Sequence, residues 1–146
     1  MVEHRTLILG GVEIIHPFGL LGHSDADVLT HAIMDAMLGA LALGDIGKHF
    51  PDHDERYRGI SSVALLRQVN DLLAQRGYVV HNLDSIIVAE QPKLASHIDK
   101  MRANLAETLG IPTDSVSVKA TTTERLGFTG REEGIAAHAI VCLESI

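Results

Sequence analysis

Three stretches of helical periodicity, each closed by a glycine, set the frame for this chain. Val28, Leu29, Ile33, Met37, Leu38 and Leu41 recur at helical spacing until Gly44, and Val63, Leu66, Val69, Leu72 and Leu73 until Gly77. Ile98, Met101, Leu105 and Leu109 do the same before Gly110. Such spacing lays one apolar stripe along each helix, and a glycine just past it takes up the left-handed conformation that ends helices. The expected helices run from about Asp25 to Leu43, from Ser61 or Ser62 to Gly77, and from about Ser96 to Leu109. Ser24 reads as the N-cap of the first, with Asp27 behind it in the manner of a capping box.

Between the helices the period changes. Leu7 to Leu9 and Val12 to Ile15 flank Gly10-Gly11 as two short strands about a turn. YVVHNLDSIIVAE carries Ile86-Ile87-Val88, suited to a buried strand, and SVSVKA alternates with period two. Ile135 to Leu143 reads as the last strand. Strands and helices alternate without strict order, which predicts an α+β fold: a two-layer α/β sandwich, one mixed sheet with helices packed on one face.

The chain of 146 residues is read as one domain, residues 1–146. Aromatic residues are only 3% and Trp is absent, so Val, Ile, Leu, Met and Ala must fill the core. A net charge of −7 argues against a nucleic-acid partner. It leaves room for a phosphorylated small molecule, because local cations override a global charge. The one cysteine, Cys142, lies in the apolar run IAAHAIVCLESI and reads as a buried thiol. No apolar run reaches the ~20 residues that span a bilayer, and no signal peptide is read, so a reducing cytoplasm is the expected location.

Chemistry-bearing residues gather in three places. His23 and Ser24 stand at the entrance to the first helix, where free N–H groups suit an anion. His31 follows, with Asp27 and Asp35 four residues to either side, able to orient an imidazole that binds a metal. A cap on a soluble helix face accounts for the same residues. In GDIGKHFPDHD, Asp45 has the character of a ribose-binding carboxylate, or of a solvated turn. In KATTTERLGFTGREEG, three threonines and Glu124 form a donor cluster with a hard oxygen ligand, near Lys119 and Arg131, or a polar hairpin connection. The order of a Walker loop is absent.

GLLGHSDADVLTHAIMDAMLGALALGDIGKHFPD and VKATTTERLGFTGREEGIA together resemble the two signature regions of the 2-C-methyl-D-erythritol 2,4-cyclodiphosphate synthases. The similarity runs from about Leu7 to the C-terminus. It implies a lyase of non-mevalonate isoprenoid biosynthesis. Such an enzyme cyclises 4-diphosphocytidyl-2-C-methyl-D-erythritol 2-phosphate and expels CMP, in a homotrimer with active sites between subunits. Carried over by position, His31 is a zinc ligand and Glu124 holds Mg²⁺ or Mn²⁺. His23 and Thr122 stabilise the transition state, with Ser24 beside them. Asp45, Ile46 and Gly47 match the ribose loop; Phe50, Pro51, Asp52, His53 and Asp54 match a flexible substrate loop. Ala89, Lys93, Leu94, Ala95, Thr121 and Thr123 match the cytidine and phosphate pocket. Phe128 and Arg131 match a cavity on the threefold axis that takes an isoprenoid diphosphate. The family's zinc is also held by an Asp-x-His pair upstream of the first hairpin, which is expected to precede Met1. If that pair were truly lost, the alternative is a non-catalytic trimer that binds nucleotide or isoprenoid diphosphate.

Overall fold

The computed structural model describes residues 1–146. Its central strand is β5 (Tyr78–Val88), which pairs in parallel with β6 (Val116–Thr121) and antiparallel with β7 (Ala136–Ser145). The three form one mixed sheet in the order β6-β5-β7. Period two decides its faces. Val80, Leu83, Ser85 and Ile87 of β5 and Val116 and Val118 of β6 are buried, and Ala137, Ala139, Val141 and Leu143 of β7 pack against the same core. Ser85 tolerates burial because its hydroxyl donates to Ser117 O at 2.9 Å.

Three helices cover that face: α1 (Val28–Ala40), α3 (Ser62–Gln75) and α4 (Ile98–Leu109). Leu29, Ile33, Met37, Leu66, Leu73, Met101 and Leu105 are fully buried, as their spacing requires. Gly110 ends α4 with φ of 68°, where an L side chain would be strained. A four-residue helix, α2 (Ile46–His49), and another, α5 (Gly127–Gly130), interrupt the long loops. The opposite face of the sheet carries Asp84, Ser117, Lys119, His138, Ile140 and Cys142 in register. Lys119 Nζ donates there to Asp84 Oδ2 at 2.9 Å, and Ile140 stays 71% exposed.

Several expectations need correction. The N-terminal strands do not extend the sheet. β1 (Val2–Glu3) pairs with β4 (Phe18–Gly19), and β2 (Leu7–Leu9) with β3 (Val12–Ile14), as separate antiparallel ladders. The reason lies at the hairpin tip, which sits on the helices. A Cβ at Gly10 (φ 58°) would lie 2.8 Å from Met101 Cβ, and one at Gly11 (φ 72°) 2.8 Å from Val63 Cγ2. Helix α1 starts at Val28, not near Asp25, and its cap is Asp27 instead of Ser24. Asp27 prevails because a carboxylate has acceptor sites for both the helix and the hairpin. Cys142 is exposed, not buried, since alternation along β7 turns it to the helix-free face with Ile140.

Candidate active site

Asp27 forms the base of the site. Its fully buried carboxylate accepts Thr30 N at 3.0 Å and Thr30 Oγ1 at 2.8 Å. It also accepts the N–H groups of Gly10 and Gly11 at 2.9 and 2.8 Å. Helix start and hairpin tip are tied at one group. Burial pushes the carboxyl above its usual value of 3.8, against the pull of these hydrogen bonds. Its oxygens are spent on the turn, so Asp27 does not orient His31.

Hydroxyls orient it instead. His31 Nε2 lies 2.8 Å from Ser62 Oγ and 3.1 Å from Ser24 Oγ. Ser62 is fully buried; its hydroxyl donates to Asp25 Oδ1, and its backbone N–H donates to Asp25 Oδ2 at 2.9 Å. Ser61, the nominal cap of α3, makes no side-chain cap bond, so Asp25 caps that helix from α1's approach. His23 holds the next loop: its Nε2 donates to Asp54 O at 2.9 Å, while Gly59 N donates to His23 O at 2.8 Å.

The loop has its own order. Asp45 caps α2 by accepting Lys48 N at 3.0 Å, and Asp35 Oδ1 accepts Ile46 N at 2.9 Å. Phe50 and Tyr57 meet edge to face at 5.3 Å, and the Arg56 guanidinium lies 5.2 Å from the Tyr57 ring centre. Arg56 also grips Asp54, with Nη2 at 2.7 Å from Oδ2, and holds that carboxyl down at about 2. These residues surround a cleft of about 500 Å³, lined by His23, Ser24, His31, Ile46, Gly47, Phe50 and Asp52 among others. Asp45, Pro51, His53 and Asp54 belong to the same loop but not to the lining.

A second cleft of about 250 Å³ opens where β5 and β6 end, lined by Ala89, Lys93, Leu94, Ala95, Thr121 and Thr122. Ala89 N donates to Thr121 O at 2.9 Å and joins its two walls. The clefts share no lining residue. Beside the second, Thr123 turns its hydroxyl inward, donating to Leu126 O at 2.5 Å with Thr129 Oγ1 at 3.0 Å. Glu124 has φ of 52° and donates its N–H to Thr122 Oγ1 at 3.2 Å, leaving an exposed, unpaired carboxylate. Phe128 is 52% exposed, and Arg131 is paired to Glu133 through Nε at 3.0 Å, which raises the guanidinium pKa and lowers that of the carboxyl. Neither Phe128 nor Arg131 lines either cleft.

Nowhere do three or more His, Cys, Asp or Glu side chains converge as a metal cage. Zinc sites take about three protein ligands. His31 offers one imidazole whose neighbours are hydroxyls, so the residues of this chain do not by themselves fit zinc. Glu124 is a different case. Mg²⁺ binds through one or two carboxylates together with substrate phosphates, and an exposed carboxylate beside Thr122 fits that pattern. Sequence reasoning passed over Ser62, Asp25 as a structural acceptor, and Tyr57. Only Ser62 had a local signal, as a helix start.

The YgbB family model matches residues 1–144. The 2-C-methyl-D-erythritol 2,4-cyclodiphosphate synthase of Desulfitobacterium hafniense is 66% identical over 146 residues, which is 100% of this chain and 92% of the relative. A bifunctional protein of Campylobacter jejuni superposes with a TM-score of 0.95 at 43% identity, covering 99% of this chain and 39% of that one. A 2C-methyl-D-erythritol-2,4-cyclodiphosphate synthase solved with bound CDP superposes with a TM-score of 0.89 at 36% identity, covering 98% of this chain and 93% of that one.

Proposed function

The chain belongs to the YgbB family, and with it to the 2-C-methyl-D-erythritol 2,4-cyclodiphosphate synthases, and we propose how its residues divide that work. It is a lyase of isoprenoid biosynthesis that makes the 2,4-cyclodiphosphate. In our reading, residues 1–146 form a single synthase domain, a two-layer α/β sandwich, working in the cytoplasm. The substrate is 4-diphosphocytidyl-2-C-methyl-D-erythritol 2-phosphate. An oxygen of its 2-phosphate forms a bond to the β-phosphorus, the bond from that phosphorus to the bridging oxygen breaks, and CMP leaves with the electron pair. No proton need move, because a phosphate dianion is already a nucleophile. Alignment and charge neutralisation are what the protein must supply.

The two halves of that task lie in the two clefts. His23 and Ser24 receive the methylerythritol phosphate at the first, where His31 also stands. Asp45, Ile46 and Gly47 reach the ribose, and the Phe50–Asp54 loop closes over the sugar. Ala89, Lys93, Leu94, Ala95, Thr121 and Thr123 hold cytidine and phosphate at the second, and Thr122 faces the reacting phosphorus. Glu124 would hold Mg²⁺ or Mn²⁺, which supplies Lewis-acid neutralisation of the diphosphate when bound. His31 would give a zinc ion one ligand of several, and no step is assigned to that ion.

One observation carries the assembly. Residues assigned to a single substrate gather at two clefts with no lining residue in common, which supports one site shared between two chains. A homotrimer with the helix-free sheet faces inward meets this need and covers Ile140 and Cys142. Phe128 and Arg131 then border an axial cavity for an isoprenoid diphosphate. The test is CMP release by the protein supplied with divalent cations, with its mass in solution measured alongside. A monomer, or intact cytidylyl substrate, ends this reading.

A further inference from the structure

Gly22, His23 and Ser24 lie in no helix or strand, and the chain bends at His23 and Ser24. Two residues on, Ala26 sits at φ of 59°, a conformation an L residue keeps only when its surroundings enforce it. The bend is therefore held from outside. Arg5 Nη2 donates to Gly22 O at 2.9 Å and to Ser24 O at 2.7 Å, so one nitrogen staples the two carbonyls that flank His23. Gly59 N donates to His23 O at 2.8 Å between them, and Asp25 N donates to Ile60 O at 3.0 Å. The staple has a firm base. Val2 and Glu3 pair with Gly19 and Phe18, and a Cβ at Gly19 would run into the Arg5 carbonyl. The Arg5 guanidinium has no carboxylate partner, so nothing else competes for its donors. Arg5 does not line the larger cleft, whereas His23 and Ser24 do.

We propose that Arg5 is a positioning residue for the phosphomonoester end of the substrate: by stapling the Gly22 and Ser24 carbonyls it sets the bend that presents His23 and Ser24 to the phosphate. It also draws two partial negative charges toward a cation outside the cleft lining, away from an incoming anion. Charge-assisted bonds to carbonyls are the strong kind, and a site on a bend is only as exact as the contacts that hold it. This rests on the reading of the first cleft as the place where phosphate is received. Without the staple the two carbonyls would turn to water and the bend would relax.

The experiment titrates the ¹⁵N-labelled full chain with inorganic phosphate, as probe of the first cleft, and separately with cytidine, as probe of the second, without divalent ions. Wild type is expected to answer phosphate at the His23 ring and the Ser24 N–H, and cytidine at the Ala89 and Thr121 N–H groups. Arg5→Met keeps the apolar stem and removes the donors. It should weaken phosphate about tenfold, the scale of one hydrogen bond to a charged group, and leave the cytidine Kd unchanged. Amide exchange at Gly59 and Asp25 should quicken in the same variant. Arg5→Lys returns a charged nitrogen with three donors and should recover most of the phosphate affinity. An unchanged phosphate Kd or unchanged exchange in Arg5→Met overturns the proposal, as does an equal loss of cytidine, which would mark a merely structural role. Arg5→Lys no better than Arg5→Met overturns it too. A freely turning Arg5 guanidinium in the wild-type ¹⁵N spectra does so whether or not any variant folds. Wild type that ignores phosphate at His23 overturns the reading of the cleft and the proposal with it, whereas wild type that binds phosphate only as strongly as Arg5→Met overturns the proposal alone.

Discussion

Asp27 Oδ2 accepts the backbone N–H of Gly11 at 2.8 Å, tying the first helix to a turn 16 residues before it. Asp27→Ala would strand the N–H groups of Gly10, Gly11 and Thr30 together, and a buried donor left unmade costs about 1–3 kcal/mol. The variant should lose at least about 3 kcal/mol in urea unfolding at fixed protomer concentration. Asp27→Ser restores the helix cap but not the turn, and should recover only about 1 kcal/mol. If Asp27→Ser unfolded with the wild type, the hairpin bond would carry no weight.

That network marks the boundary of what the sequence discloses. Helices, their glycine stops and the strand periods are local patterns, and they reappear within a few residues of where periodicity puts them. The cap of α1 is not local in the same sense. Ser24 and Asp27 are both good caps, and the choice between them rests on N–H groups of Gly10 and Gly11 that reach the helix only after folding. The Asp25–Ser62 pair spans 37 residues and has no periodicity to betray it. Cys142 was misread because an apolar run looks alike on both faces of a strand until its neighbours are known. Residues of the larger cleft, by contrast, were legible, since His23, Ser24 and His31 share one helix entrance.

Asp45 caps α2, and the proposed function gives it the ribose as well; substitution separates the two. Asp45→Ala removes the cap and the proposed ribose contact together; Asp45→Ser keeps an oxygen for Lys48 N but is too short and neutral for a diol. A hydrogen bond to a charged group is worth about 1.5–3 kcal/mol, or roughly 10- to 100-fold in binding. Both variants should raise KM for the cytidylyl substrate by that factor, with little change in thermal midpoint. A normal KM in Asp45→Ser would assign the residue to the cap alone.

Glu124 offers its carboxylate to solvent with no hydrogen bond to restrain it. Glu124→Gln preserves its size and the left-handed turn while removing the charge. Turnover should fall about 100-fold or more, as for the loss of one electrostatic contact at a reacting centre. Circular dichroism and solution mass should stay as in wild type. Chelating the divalent ions should abolish CMP release in wild type, and Mg²⁺ should restore it. Retained activity in Glu124→Gln would remove this side chain from the reaction.

Lys119 holds the Asp84 carboxyl below its usual value of 3.8 through a direct hydrogen bond on the helix-free sheet face. An acid depressed in the folded state stabilises above its unfolded pKa, and that contribution is lost as pH falls through the folded value. Acidification below 3.8 should therefore remove the stability that this pair gives the folded chain. In Lys119→Met the Asp84 titration, followed by carboxyl ¹³C signals, should move up. Acid unfolding should then lose the part of its pH dependence that this pair supplies. An unmoved Asp84 titration would show that Lys119 is not its partner in solution.

The division of site residues between two clefts makes the sharpest demand on the assembly. Asp45→Ala damages the loop side and Glu124→Gln the threonine side, and each alone should turn over slowly at substrate concentrations well below the raised KM. If one site draws its two sides from neighbouring chains, trimers reassembled from both variants contain some sites with two undamaged sides. Mixing after partial unfolding should then recover activity that neither parent has, in proportion to the mixed trimers formed. Sites built within one chain would carry one lesion in every protomer, and mixing would recover nothing. The outcome depends only on which chain supplies each cleft, so it tests the assembly without needing the position of any metal ion.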